Sequence, residues 1–307
     1  MAVNNSLAAQ RNAGKPQTFS AFLTSNAIKD RINAMVGGKD GQRFISAVIS
    51  AVSVNPGLTE CEHSTILSAA LLGESLKLSP SPQLGQYYLV PFNDKKRGTK
   101  VAQFQLGYKG YIQLAIRSGY YKKLNVISIK EGELIRFDAL NEEIEVKLIE
   151  NDTEREAAKT IGYYAMFEYT NGFRKAIYWS REKMMAHADK YSMAFSAAKY
   201  QDLLDGKIPQ SEMWKYSSFW YKDFDGMAYK TMLRQLISKW GIMSIELQTA
   251  IDKDMAAIHE DGSVDYVDNS VDYEASPEAP NMPVIESNPA TGEVVNEDPT
   301  AAFFGEQ

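Results

Sequence analysis

In the segment that follows Gly107, three long hydrogen-bond donors fall four residues apart: Lys109, Gln113 and Arg117. On a helix that spacing places them on one face, about 6 Å from one to the next. Such a row approximates the separation of successive phosphates on an extended nucleic-acid strand; it also describes an ordinary solvated helix face. Tyr108, Tyr111, Ile112 and Ala115 recur at i, i+3, i+4 and i+7 and make the apolar face. Tyrosines so placed serve either as core or as stacking platforms, the latter worth roughly 1–3 kcal/mol per base. A second amphipathic stretch sets Lys230 and Arg234 one turn apart beside Leu233, Leu236, Ile237 and Trp240, with Lys222 near them on the helical wheel. Lys95-Lys96-Arg97 gather three positive charges in a short polar turn, suited to a phosphate backbone, an acidic partner or water alone.

Several catalytic chemistries lack their residues. The Gly-Lys pairs that begin at Gly14, Gly38 and Gly206 are followed by Pro, Asp and Ile, so no phosphate-binding loop of the Gly-x4-Gly-Lys-Ser/Thr kind is encoded. His63, His187 and His259 are isolated along the chain, and His187 with Asp189 stand two apart on a helix, where side chains do not face each other. Cys61 and His63 make a poor nucleophile pair. The carboxylates between Asp138 and Glu156 alternate along strands and read as solvent-facing. No catalytic residue, no protein metal site and no cofactor are expected. Magnesium, if it assists, would bridge phosphates and leave no protein motif.

These residues need elements to position them. Helices are predicted over Phe19–Val36, Gln42–Val54 and Glu62–Leu78, stopped by Gly37-Gly38, Asn55-Pro56-Gly57 and Ser79-Pro80-Ser81-Pro82. Strands follow at Gln86–Phe92 and Lys100–Leu106 around the basic turn, then at Leu124–Ile129, Leu134–Phe137 and Ile144–Ile149. Gly162–Tyr169 and Phe173–Trp179 flank Asn171-Gly172, a strong hairpin signal. Ser180 is placed to cap a helix running to about Tyr191. Residues 199–218 read as loop, and Phe219–Trp240 as one long helix. The fold class is α+β, with β-hairpins and an N-terminal helical region.

The net charge of −6 conceals an asymmetry. From Lys253 onward there are thirteen acidic residues and one basic, leaving 26 acidic and 32 basic residues in positions 1–252, a net of +6. A basic body with an acidic tail hints at nucleic acid. The expected organisation is a disordered N-terminus over 1–18, a binding and assembly core over 19–252 and a disordered acidic tail over 253–307. Removing 253–307 is expected to leave the core's activity intact. No run is apolar and long enough to span a bilayer. The first residues lack the apolar stretch of a secretory signal, and a lone cysteine offers no internal disulfide, so a cytoplasmic location is the default.

Three motifs in order resemble the RecT family of phage single-strand annealing proteins. They are Leu89-Val90-Pro91-Phe92-Asn93, the run Leu106-Gly107-Tyr108-Lys109-Gly110-Tyr111 through Gly119, and Met227-Ala228-Tyr229-Lys230 through Arg234 to Leu236. Thr231 and Met232 stand where smaller residues are usual, which bears on packing. The resemblance implies ATP-independent binding of single-stranded DNA, annealing through a duplex intermediate, and assembly into rings or helical filaments in a bacterial host. It implies a phage exonuclease partner and a fold like that of eukaryotic annealing proteins, a small sheet backed by a long helix. On that footing Lys109, Arg117, Lys230 and Arg234 would contact the DNA backbone, with Lys222 beside them and Lys95, Lys96 and Arg97 at the groove edge. Gln105 and Gln113 would add neutral hydrogen bonds, and Tyr108 or Tyr111 would shape the groove. The acidic tail, ending near Phe303-Phe304, would engage the exonuclease or a host single-strand binding protein. Competing readings are a passive single-strand protector, a metal-dependent DNA-processing enzyme and a scaffold protein without a DNA role.

Overall fold

Tyr87–Asp94 (β1), apolar as far as Phe92, and Thr99–Leu106 (β2), buried from Val101 to Phe104, form an antiparallel pair, in register from Tyr87 opposite Leu106 to Asp94 opposite Thr99. The computed structural model describes residues 18–94, 97–192 and 194–266, so Lys95, Lys96 and the chain beyond Tyr266 lie outside the described residues. Among the described residues no helix is long and apolar enough to cross a membrane.

Among the described residues four α-helices precede the hairpin: Phe19–Thr24 (α1), Asn26–Val36 (α2), Gly38–Ser53 (α3) and His63–Ser75 (α4). The first two were expected as one helix; the chain breaks at Ser25, whose backbone is extended. They cover one face of the hairpin, where Leu23, Ile32, Val48 and Leu67 pack with Tyr87 and Phe104. The hairpin leads into Tyr108–Ser118 (α5), closed by Gly119 in the left-handed region.

A second sheet joins Tyr121–Lys130 (β3), Thr160–Tyr169 (β6) and Arg174–Ser180 (β7), in the order β3-β6-β7 and antiparallel throughout. Between β6 and β7 the Asn-Gly turn takes its expected form: Gly172 has φ 89° and the Asn171 side-chain Oδ1 accepts the Phe173 N–H. A small ladder of Leu134–Asp138 (β4) and Glu143–Val146 (β5), then a short helix Asp152–Ala157 (α6), fills the β3–β6 connection. Ser180 caps Arg181–Tyr191 (α7), accepting the Lys183 N–H at 3.2 Å. The stretch read as loop contains a helix, Ala197–Leu204 (α8), started by Ser196.

The long C-terminal helix is also two elements, Phe219–Lys222 (α9) and Phe224–Trp240 (α10). Asp223 leaves helical geometry at φ −147° and its carboxylate accepts the Gly226 N–H at 2.9 Å, which starts the second helix afresh. Helix α10 is shared by two cores. Leu233 and Ile237 enter the core under the first sheet, whereas Ala228, Met232 and Leu236 pack with Tyr163, Ala165 and Phe167 of β6. Met232 is fully buried there and the Thr231 hydroxyl turns back to the Met227 carbonyl, so both departures from the motif are packing choices.

The boundary drawn after Asp252 falls inside packed structure. Ile245–Asp252 (α11) runs into Ala256–Ile258 (β8), which pairs with β2, and Val264–Tyr266 (β9) pairs with β8. The first sheet therefore has the order β1-β2-β8-β9. Short strands rich in alanine, set among acidic residues, carry little periodic signal, and the composition there reads as tail. The body extends at least to Tyr266; the expected disorder of 1–17 and 267–307 lies outside the described residues.

Candidate nucleic-acid interface

Two glycines explain how α5 is held. A Cβ on Gly107 would stand 2.2 Å from the Gly85 carbonyl oxygen, and one on Gly110 2.2 Å from that of Gln86. Only hydrogen fits where the helix meets the start of β1. This close approach leaves Lys109 exposed beside the half-buried Tyr88 and Tyr108, and Tyr108 meets Tyr229 edge-on at 5.6 Å. Gln113 is exposed one turn further on.

Beside this helix start lies a cleft between the β1–β2 hairpin and residues 215–227. Its main chamber, about 330 Å³, is lined by Val90, Phe92, Gln105, Lys215, Phe219 and Lys222, among others. A narrow extension of about 30 Å³ runs past Tyr88, Tyr108 and Asp223, sharing Gln105 and Phe219 with the chamber. Tyr88 and Phe219 face each other across it at 5.1 Å. The structure thus brings Gln105, Tyr108 and Lys222 to one cleft, with Lys109 adjoining. Lys215 extends the rim, next in sequence to Trp214 at 74 % exposure; its stretch carries no periodicity that would single it out.

Other expected contacts are turned inward. Tyr111 is fully buried, and its hydroxyl lies 3.5 Å from Asp254 Oδ2. Lys230 is 5 % exposed and gives its ammonium to Asp254 Oδ1 at 2.9 Å; Arg234 Nη1 donates to Oδ2 at the same distance. The Leu106 N–H completes the shell of Asp254. Burial holds the Lys230 ammonium below its ordinary pKa, and the Asp254 carboxylate acts against that shift. The reason for the correction is register on the helix: Lys230 and Arg234 project toward the segment after α11, which sequence reading had assigned to the tail. Arg117 is half committed as well, since Nη2 donates to the Leu76 carbonyl at 2.6 Å and so closes the C-terminal end of α4.

Arg97 stands at the far end of the hairpin within reach of Asp94, His259 and Asp265. That cluster was invisible in the sequence because its members lie up to 171 positions apart. Cys61 is buried, and burial pushes its thiol up to about 11, while His63 packs against Phe19 and Phe22. The two do not form a nucleophile pair.

Aromatic walls and exposed rim lysines are the features by which nucleic-acid-binding proteins in general stack bases and neutralise phosphates. The chain belongs to the RecT family, whose profile matches residues 42–268. That span takes in all three motifs and the strands β8 and β9. The chain is 34% identical over 290 residues to the uncharacterized protein YqaK of Bacillus subtilis (strain 168), covering 94% of this chain and 86% of that protein. It is 27% identical over 262 residues to Protein RecT of Escherichia coli (strain K12), covering 84% and 87% respectively. Membership makes it a DNA-binding protein of the single-strand annealing kind that serves recombination.

Proposed function

We propose that this chain anneals complementary DNA strands without nucleotide triphosphate, working as a ring or filament of identical subunits. The observation that carries the reading is the cleft beside the glycine-packed start of α5, where Lys222, Gln105 and Tyr108 line one space and Lys109 adjoins it. Cations there neutralise phosphates without reading sequence, leaving base edges open to test a partner strand. Pairing itself drives the reaction, at roughly 1.4 kcal/mol per stacked step. Gln113 extends the track along the helix and Arg97 along the hairpin, and Lys95 and Lys96, next to Arg97 in sequence, are proposed as further contacts. The β3-β6-β7 sheet with α10 is our counterpart of the sheet-and-helix unit of eukaryotic annealing proteins. A phage exonuclease and a host single-strand binding protein are the proposed partners of the acidic tail, and bacterial cytoplasm the proposed location.

The test is annealing of two complementary fluorescent oligonucleotides without nucleotide triphosphate. Acceleration above the spontaneous rate is expected; tight binding without acceleration would reduce the protein to a passive protector. For the site, Lys109→Ala and Lys222→Ala should each lower the log–log salt slope of single-strand binding by about one. A slope equal to that of the unmodified chain would remove that lysine from the interface.

A further inference from the structure

At the tip of the first sheet, three potential metal ligands converge on one guanidinium. Arg97 Nη1 lies 3.1 Å from His259 Nδ1, its Nε 3.9 Å from Asp94 Oδ2 and its Nη2 3.6 Å from Asp265 Oδ2. An arginine only donates, so His259 Nδ1 is the acceptor and its proton sits on Nε2, which donates to Asp265 Oδ2 at 3.0 Å. One ligand atom from each of the three residues falls within 4.8 Å of the others. The Asp94 and His259 side chains are both 4 % exposed; Asp94 is held by its pairing with Thr99, and His259 follows β8 with its backbone N–H donating to the Ser263 carbonyl at 2.9 Å, whereas Asp265 is 41 % and Arg97 44 % exposed.

We propose that Asp94, His259 and Asp265 form a divalent-cation site, of the Mn²⁺ or Zn²⁺ kind, which Arg97 closes and from which the ion displaces it. The charge bookkeeping favours exchange over addition. Two carboxylates and a neutral imidazole need a cation in their midst, and the guanidinium supplies it now. A metal ion would use the same lone pairs at shorter range and complete its shell with water. Imidazole with carboxylates suits Zn²⁺ and Mn²⁺ better than Mg²⁺, which prefers oxygen ligands and retains its waters. The long, partly exposed arginine has solvent to move into. The displaced guanidinium returns to the hairpin tip next in sequence to Lys95 and Lys96, so occupancy adds a cation to the basic turn. The inference goes beyond the annealing reading and stands without it, because it is tested without DNA.

The experiment is titration of the full chain with Mn²⁺ alone, followed by electron paramagnetic resonance. Expected is one site per chain whose pulsed spectrum carries imidazole nitrogen coupling. His259→Ala and the milder, exposed Asp265→Asn should each weaken binding by about tenfold or more. Arg97→Gln should tighten it by about tenfold or more, because a competing positive charge is gone. Binding without nitrogen coupling, or unchanged in His259→Ala, places the ion on other carboxylates and overturns the site. A site lost in His259→Ala but unaltered in Arg97→Gln overturns the exchange.

Discussion

Asp254 shows how one carboxylate reorganises the reading of a motif. Its two oxygens take the Lys230 ammonium, the Arg234 guanidinium, the Leu106 N–H and the Tyr111 hydroxyl, so residues spread along the sequence meet at one point. Asp254→Asn keeps the shape and leaves the buried Lys230 without its counter-charge. A loss of about 3–5 kcal/mol in urea unfolding is expected; a change near zero would mean that the cluster is not the lock described. Arg234→Ala acts by the same route, and weakened DNA binding by that variant reports the fold first. Glu133 is a second fully buried carboxylate. Burial raises its pKa, but the Lys130 N–H, the Arg155 guanidinium and the Ile149 N–H outweigh it, and the net shift is downward from 4.5. A depressed carboxylate contributes stability that is complete above pH 4.5 and is lost as pH falls through the lowered value. Glu133→Gln should therefore cost stability at pH 7 and flatten the acid limb of urea midpoint against pH. A limb as steep as that of the unmodified chain would assign acid sensitivity to other groups.

Local chemistry made many elements legible. Gly119 ends α5, Ser180 starts α7 and Asn171-Gly172 turns β6 into β7, each through a residue type whose backbone or side chain does the work at that point. In the site the motif glycines were visible as a pattern, but their reason is tertiary: the carbonyls of Gly85 and Gln86 leave no room for a side chain. The break at Asp223 was hidden because apolar residues continue in phase across it. Lys230 was misplaced for a related reason, since a lysine beside an apolar stripe looks the same whether it meets water or a carboxylate brought from elsewhere. The segment after α11 shows this most plainly. A chain ending at Asp252 loses Asp254 and β8 and should unfold at clearly lower temperature than the full chain. One ending at Tyr266 should melt within a few degrees of it. Equal melting of the two shortened chains would make the C-terminal strands dispensable.

At the scale of the whole molecule, moving the boundary changes the electrostatics. Positions 1–266 hold 33 basic and 30 acidic residues, a net of +3, whereas 267–307 hold nine acidic residues and no basic one. On the proposed reading, a body so nearly balanced would attract DNA through the local placement of lysines at the cleft, without a strong overall field. That suits a protein that must release its duplex. The pairing of β8 with β2 has a further consequence in time. Leu106 waits for Asp254 across 148 positions, and contacts of such long range are slow to form. During synthesis the hairpin, α5 and α10 all leave the ribosome before the carboxylate that joins them. Until then Lys230 has no Asp254 to pair with, so the wall of the cleft that Lys230 and Met255 line is completed by nearly the last part of the described body to be made.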